Sequence, residues 1–122
     1  MIETLPALAA ADPWLTRRGR HVDVDFFVGI GPQDWLVRVR EGRVERVERG
    51  PFLGRSWAFA IRGGAEAWSD FWQAVPPPRR QDILGLVRHR LVTIEGDLRP
   101  FFANLLWFKT LLELPRGKGD GS

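Results

Sequence analysis

Asp23 and Asp25 stand two apart in the stretch HVDVDFF. On a strand that spacing puts both carboxylates on one face, close enough to share acid–base work. Such work needs a further recruited group, and the neighbourhood supplies none. His21 and His89 are the only imidazoles, and the chain has no Cys. Two histidines without thiolates do not make up a zinc ligand set. Ser56 and Ser69 lie in no nucleophile elbow and beside no partner His. The glycine-rich spots GIGPQ and RGGAE lack the Gly-Lys-Ser/Thr that closes a phosphate loop. The two aspartates therefore read as a solvated strand face, and the sequence nominates no catalytic residue, no metal site and no cofactor. Arg88, His89 and Arg90 could hold a lipid carboxylate or a CoA phosphate. As cations at a helix end they equally suit the C-terminal dipole.

Composition narrows the class further. A chain of 122 residues suits one domain with a real core and no staples. The net charge is +3, from 18 Lys and Arg against 15 Asp and Glu. The cations alternate with acids, as in RVREGRVERVERG. That is the pattern of wet strand faces rather than a phosphate-tracking stripe, so nucleic acid is excluded as a partner. Six Trp and eight Phe with no Tyr favour a dry interior. No apolar run approaches the roughly 20 residues of a membrane span. Glu3 stands where a secretory signal would be basic. The expectation is a cytoplasmic protein.

The elements follow from periodicity. Thr4 to Ala11 predicts two helical turns ended by Asp12-Pro13, and residues 1–20 read as a short N-terminal arm. From His21 the period becomes two, with Val22, Val24, Phe26, Val28 and Ile30 opposite Asp23, Asp25 and Phe27. Gly31 to Asp34 is turn chemistry. Trp35, Val37 and Val39 then alternate with Arg38 and Arg40. Glu41-Gly42 predicts a tight hairpin. Val44 and Val47, three apart, predict a third strand that is bulged or at an edge. RSWAFAIRG predicts a fourth, with Trp57, Phe59 and Ile61 on one face, so that four strands form a meander. Trp68, Phe71, Trp72 and Val75 then recur at helical spacing. Pro76 to Pro78 ends that helix, a second covers Arg79 to His89, and LVTIEG is a fifth strand. Asp97 caps a closing helix with Pro100 in its first turn. The fold class is α+β: a five-stranded, mostly antiparallel sheet covered on one face by helices. Residues 116–122 read as a mobile tail.

The closing helix is apolar on two sides. Leu98, Phe101, Phe102, Leu105, Phe108 and Leu112 share one face, with Trp107, Leu111 and Leu114 roughly opposite. A second apolar face needs a second dry partner. That partner is the other two helices, a cavity holding an apolar ligand, or a second subunit in a homo-oligomer; composition leaves all three open.

The stretches IRGGAEAW and DILGLVRHRLVTIEGDL, followed by a Phe- and Leu-rich final helix, resemble the sterol carrier protein type two family. The matching residues are Gly63, Gly64, Ala67 and Trp68, then Leu84, Arg90, Leu91, Val92, Ile94, Gly96, Asp97 and Leu98. The resemblance spans about residues 21–114, within a domain taken as 21–115. It implies an apolar tunnel between sheet and helices for a fatty acyl chain, acyl-CoA, sterol or similar lipid. It also implies a non-catalytic role, with transient membrane contact or an enzyme partner. Two features differ from the family. The arm is short and interrupted by Pro6 and Pro13, and the apolar positions are unusually aromatic. Large rings would fill a tunnel rather than line it, which suits an accessory subunit of a lipid, quinone or steroid enzyme.

A tunnel of this kind would be lined from the sheet by Phe26, Val28, Val37, Trp57 and Phe59. The first long helix would add Trp68, Phe71 and Trp72. The closing helix would add Phe101, Phe102, Leu105 and Phe108.

Overall fold

The computed structural model describes residues 1–117. A 3-10 turn, Ile2–Thr4, leads into α1 (Leu5–Ala10) and α2 (Pro13–Arg18). Three strands follow: β1 (Val24–Ile30), β2 (Gln33–Arg40) and β3 (Arg43–Arg49). Then come β4 (Phe59–Gly63), α3 (Ala65–Phe71), α4 (Ile83–Arg88), β5 (Val92–Gly96), α5 (Arg99–Ala103) and α6 (Leu105–Glu113).

The expected five strands form one sheet, in the order β3-β2-β1-β4-β5. It is mostly antiparallel, but the expected four-strand meander stops at three. β4 pairs parallel to β1, with Phe26 opposite Phe59 and Val28 opposite Ile61. A parallel neighbour needs a long return connection, and residues 50–58 supply it. The β1–β2 turn is also tighter than read, because Gln33 and Asp34 belong to β2 and Ile30 pairs with Gln33. Gly31, at φ +56, makes that two-residue turn possible. β3 is both bulged and at the edge. Arg38 faces Arg46 while Val39 faces Val44, so Glu45 is the extra residue.

Residues 1–20 are not an appended arm. Ile2, Leu5, Ala9 and Leu15 are buried in the same core as the sheet. The spacing of Ile2, Leu5 and Ala9 is itself a short helical stripe. Asp12 caps α2 by accepting from the amides of Trp14 at 3.0 Å and Leu15 at 3.2 Å. This segment also answers what covers the second face of the closing helix. Trp107 is buried, and its Nε1–H donates to the Leu15 carbonyl at 2.8 Å. A helix packing against the N-terminal residues, rather than only against α3 and α4, supplies the missing dry partner.

The closing helix is two helices. At Asn104 the backbone turns to φ −126°, ψ 37°, and Asn104 Nδ2 donates to the Pro100 carbonyl at 3.0 Å. A competing side-chain bond of this sort is a recognised helix interrupter. The N-cap of α5 is Leu98 rather than the expected Asp97, which sits one residue earlier and accepts from the Arg99 amide at 3.2 Å. Of the expected tail, Arg116 donates to the carbonyls of Phe71 at 3.0 Å and Gln81 at 2.8 Å. Residues 118–122 lie outside the described residues.

Candidate functional site

The space between the inner sheet face and the closing helices is full. Phe26, Val28, Val37, Phe59, Phe71, Phe101 and Phe108 are each 0 % exposed. Phe26 stacks on Phe59 with ring centroids 5.3 Å apart, and Phe108 meets both edge-on at 5.5 and 5.4 Å. Phe101 closes the group, 5.5 Å from Phe59 and 5.6 Å from Phe108. These are offset and T-shaped contacts of a packed interior. All seven side chains were expected to line a tunnel; they are brought together, but as core.

The open space lies beside α3. A groove of about 750 Å³ runs between α3, the far end of the β1–β2 hairpin and the first residues of the chain. Its apolar wall is made by Trp35, Trp68, Trp72, Ile30, Ile2 and Val75. Trp68 and Trp72 come from the predicted helical stripe, tilted against each other at 5.1 Å. Both indoles are tethered by their one polar atom. Trp68 Nε1–H donates to the Gly29 carbonyl at 2.9 Å, and Trp72 Nε1–H to the Leu112 carbonyl at 2.7 Å. Trp68 is itself 0 % exposed, so Trp72 and Trp35, at 5 and 9 %, supply the indole surface that the groove meets, and for Trp72 that surface is apolar. Val75, expected on the buried stripe, is 84 % exposed at the rim, because α3 ends at Phe71 and the chain has left the helix by residue 75. Glu3, Gln33, Ser69 and Gln73 provide polar groups around the groove. The Glu3 carboxyl is held below the usual carboxylate range, chiefly by the hydrogen bond from the N-terminal ammonium at 2.6 Å.

The sequence matches no protein-family model and no curated protein. Solved structures do match. A sterol carrier protein 2 crystal structure superposes with a TM-score of 0.74 at 9% identity, over 94% of this chain and 92% of that one. A conserved hypothetical protein of Thermus thermophilus, described as possibly a sterol carrier protein, gives 0.68 at 9% identity, over 98% of this chain and 90% of its own. The ubiquinone synthesis protein UbiJ gives 0.60 at 15% identity, over 93% and 91%. This chain has the sterol carrier protein fold.

Within that fold, three expected lining residues are not part of the fully buried group. Trp57 is on the opposite face of the sheet, against Phe27 at 4.8 Å and Phe52 at 6.5 Å. Alternation read back from Phe59 placed it inside. The residues before Phe59 belong to the return connection that crosses the outer face, so the pleat does not extend to Trp57. Phe102 is 53 % exposed on α5, beside buried Phe101, and Leu105, the first residue of α6 after the break at Asn104, is half-buried but still packs against the core. Conversely, Ile2, Ile30 and Trp35 were not singled out. Trp35 was read on the inner face, which was a usable signal. Nothing local announces that Ile2 folds back beside it.

The residues considered for chemistry are otherwise engaged. Asp25 accepts from Arg40 Nη1 at 2.8 Å, and Asp23 from the Glu41 amide at 2.7 Å. His21 and His89 are both exposed. Arg88, His89 and Arg90 are exposed at the α4–β5 junction and form no part of the groove. Among the described residues, no three His, Asp or Glu side chains gather as a metal site. No helix among them is long and apolar enough to cross a membrane.

Proposed function

We propose that this protein is a non-catalytic, cytoplasmic lipid-binding module whose ligand lies in the α3 groove rather than between the sheet and the closing helix. The observation that carries the reading is the groove itself. On a sterol-carrier fold, it is an apolar concavity walled by three indoles, two of them with their polar atoms already satisfied, and with polar side chains at its edge. A volume of about 750 Å³ suits a fatty acyl chain, a sterol or a similar apolar ligand. Trp68 and Trp72 are the expected contact residues retained from the sequence, with Trp35 added. The role is binding rather than conversion, since both aspartates of the β1 face already serve structural partners.

The filled interior supports a second reading, an accessory subunit of a lipid, quinone or steroid enzyme, in which the groove receives a ligand shared with that partner. The similarity to a ubiquinone synthesis protein agrees with it.

The test is direct. Organic extraction of the purified protein, followed by mass spectrometry, should reveal a bound lipid. Titration with a fatty acid or acyl-CoA should change the tryptophan fluorescence saturably below about 100 μM. Ser69→Trp, an exposed change on the groove wall, should abolish that response. Phe108→Ala should leave the affinity of the folded protein within about threefold. Binding lost in Phe108→Ala and kept in Ser69→Trp would return the ligand to the interior. No lipid and no saturable response would leave the accessory role.

A further inference from the structure

Strands β2 and β3 set two arginines abreast. Val37 and Val39 pack inward, opposite Val47 and Val44, so the register partners between them, Arg38 and Arg46, share the outer face of the sheet. Like charges directly opposite one another destabilise a strand pair. The bulge sharpens the point. Continued without it, the Val39–Val44 register would set Glu45 opposite Arg38; with it, Glu45 is the extra residue and Arg46 takes that place. The shift keeps Val47 inward, but it does not require a base at position 46, where an acid would have met Arg38. The nearby carboxylates do not relieve the pair. Asp25 stands opposite Arg38 on β1 but accepts from Arg40 Nη1 at 2.8 Å instead. Glu48 accepts from Arg55 at 2.7 Å and lies 3.9 Å from Arg46. Glu45 comes within 3.5 Å of Arg38 Nε, yet that nitrogen is buried with no hydrogen-bond partner. Arg40, Arg49, Arg55 and Arg62 all donate hydrogen bonds around this sheet, whereas among the described residues Arg38 and Arg46 donate none. Arg40 and Arg43 form a second such pair, but Asp25 already neutralises Arg40.

We infer that Arg38 and Arg46 together bind the phosphate group of a small soluble molecule on the outer face of the sheet. Their side chains are 37 and 52 % exposed, so a ligand reaches them from solvent. Each guanidinium is a planar fork of N–H donors that matches the oxygens of a phosphate. A dianion between two such forks turns their mutual repulsion into attraction to a shared charge. A long polyanion fits this face less well, because Asp25, Glu45 and Glu48 stand among the cations. The site lies across the sheet from the closing helices, which pack on Phe26 and Phe59. The inference does not depend on what the α3 groove binds.

Titration with inorganic phosphate, against sodium chloride at equal ionic strength, tests it by NMR of the arginine Nε–H groups. The resonances of Arg38 and Arg46 should move saturably with phosphate and stay nearly still in chloride. Those of Arg62 and Arg80, which already meet carboxylates, should move with neither. Arg38→Gln or Arg46→Gln should weaken phosphate binding about tenfold, as expected for losing one charged hydrogen-bonding group. Stability gives a second readout. In chloride, Arg46→Gln should keep or raise the urea midpoint, because it removes a like-charge pair at an exposed position. Phosphate should raise the midpoint of the parent protein more than that of the variant. Equal responses to phosphate and chloride would overturn the inference, since they would reduce it to screened repulsion. So would phosphate binding that survives both glutamine changes. Heparin binding with no response to phosphate would also overturn it, by making this face a surface for long polyanions.

Discussion

The core behind the sheet and the groove beside α3 are both built from aromatic rings, yet one is solid and the other open. The solid region is made of phenylalanine. Phe26, Phe59, Phe101 and Phe108 carry no polar atom, so they can be surrounded by one another without leaving a donor unmet. The open region is walled by tryptophan. Trp68 and Trp72 are fixed at one edge by a hydrogen bond to a backbone carbonyl. Trp68 is as buried as the phenylalanines, and the groove runs over Trp72 and Trp35, which keep 5 and 9 % of their surface exposed. The phenylalanines pack with no polar atom to satisfy, whereas each of the tethered indoles needs a carbonyl; Trp107, bonded to Leu15, meets that need inside the core.

The largest effect should come from breaking the solid region. Phe59→Ala removes a ring that touches Phe26, Phe101 and Phe108, and should cost about 3–5 kcal/mol in urea unfolding. A loss below about 1.5 kcal/mol would mean that the interior relaxes like a ligand cavity, and the contrast would fail. Next is the tether. Trp68→Phe keeps most of the ring but removes the donor to Gly29, and should cost about 1–3 kcal/mol. If it costs nothing, the hydrogen bond is not what holds the groove wall.

A smaller effect is expected at Asp82, which joins the α4 side of the molecule to α6. Its carboxylate caps α4 through the Leu84 amide at 2.9 Å and meets Lys109 Nζ at 2.8 Å. Burial opposes its ionisation, but the Lys109 and Leu84 hydrogen bonds outweigh that, and its pKa lies below the usual aspartate value. A depressed folded pKa contributes stability above the unfolded pKa and loses it as pH falls through the folded value. Asp82→Ala should therefore cost about 1 kcal/mol at neutral pH. The gap to the parent protein should narrow as pH falls below about 4, as thermal unfolding across pH would show. The smallest effect should be at the surface. Phe102→Ala should change stability by less than about 0.5 kcal/mol, in contrast to its buried neighbour Phe101. A larger loss would show that the exposed ring still supports the core.

Much of the fold was legible. The alternation in β1 and β2, the Glu41-Gly42 hairpin and the Trp68–Phe71–Trp72 stripe all form as read, because each is imposed by neighbours in sequence. The site was less legible. Trp57 was misplaced because alternation holds only while a strand is paired. Phe102 was misplaced because the closing segment is two helices divided at Asn104, a break that hydrophobicity alone does not reveal. The N-terminal residues were undervalued because their apolar stripe is short and carries two prolines.

By itself, then, the sequence determined which residues are apolar, where the period is two and where it is helical, and that the closing segment needs two dry partners. Those are consequences of covalent neighbours and of water. The tertiary structure decided the rest. It set β4 parallel beside β1, laid Leu15 over Trp107, packed the expected tunnel with phenylalanine, and left a groove where Ile2 meets Trp35, Trp68 and Trp72. Each of these joins residues far apart in the chain. Whether a set of rings closes on itself or stops short of closing depends on volumes that only the assembled packing defines.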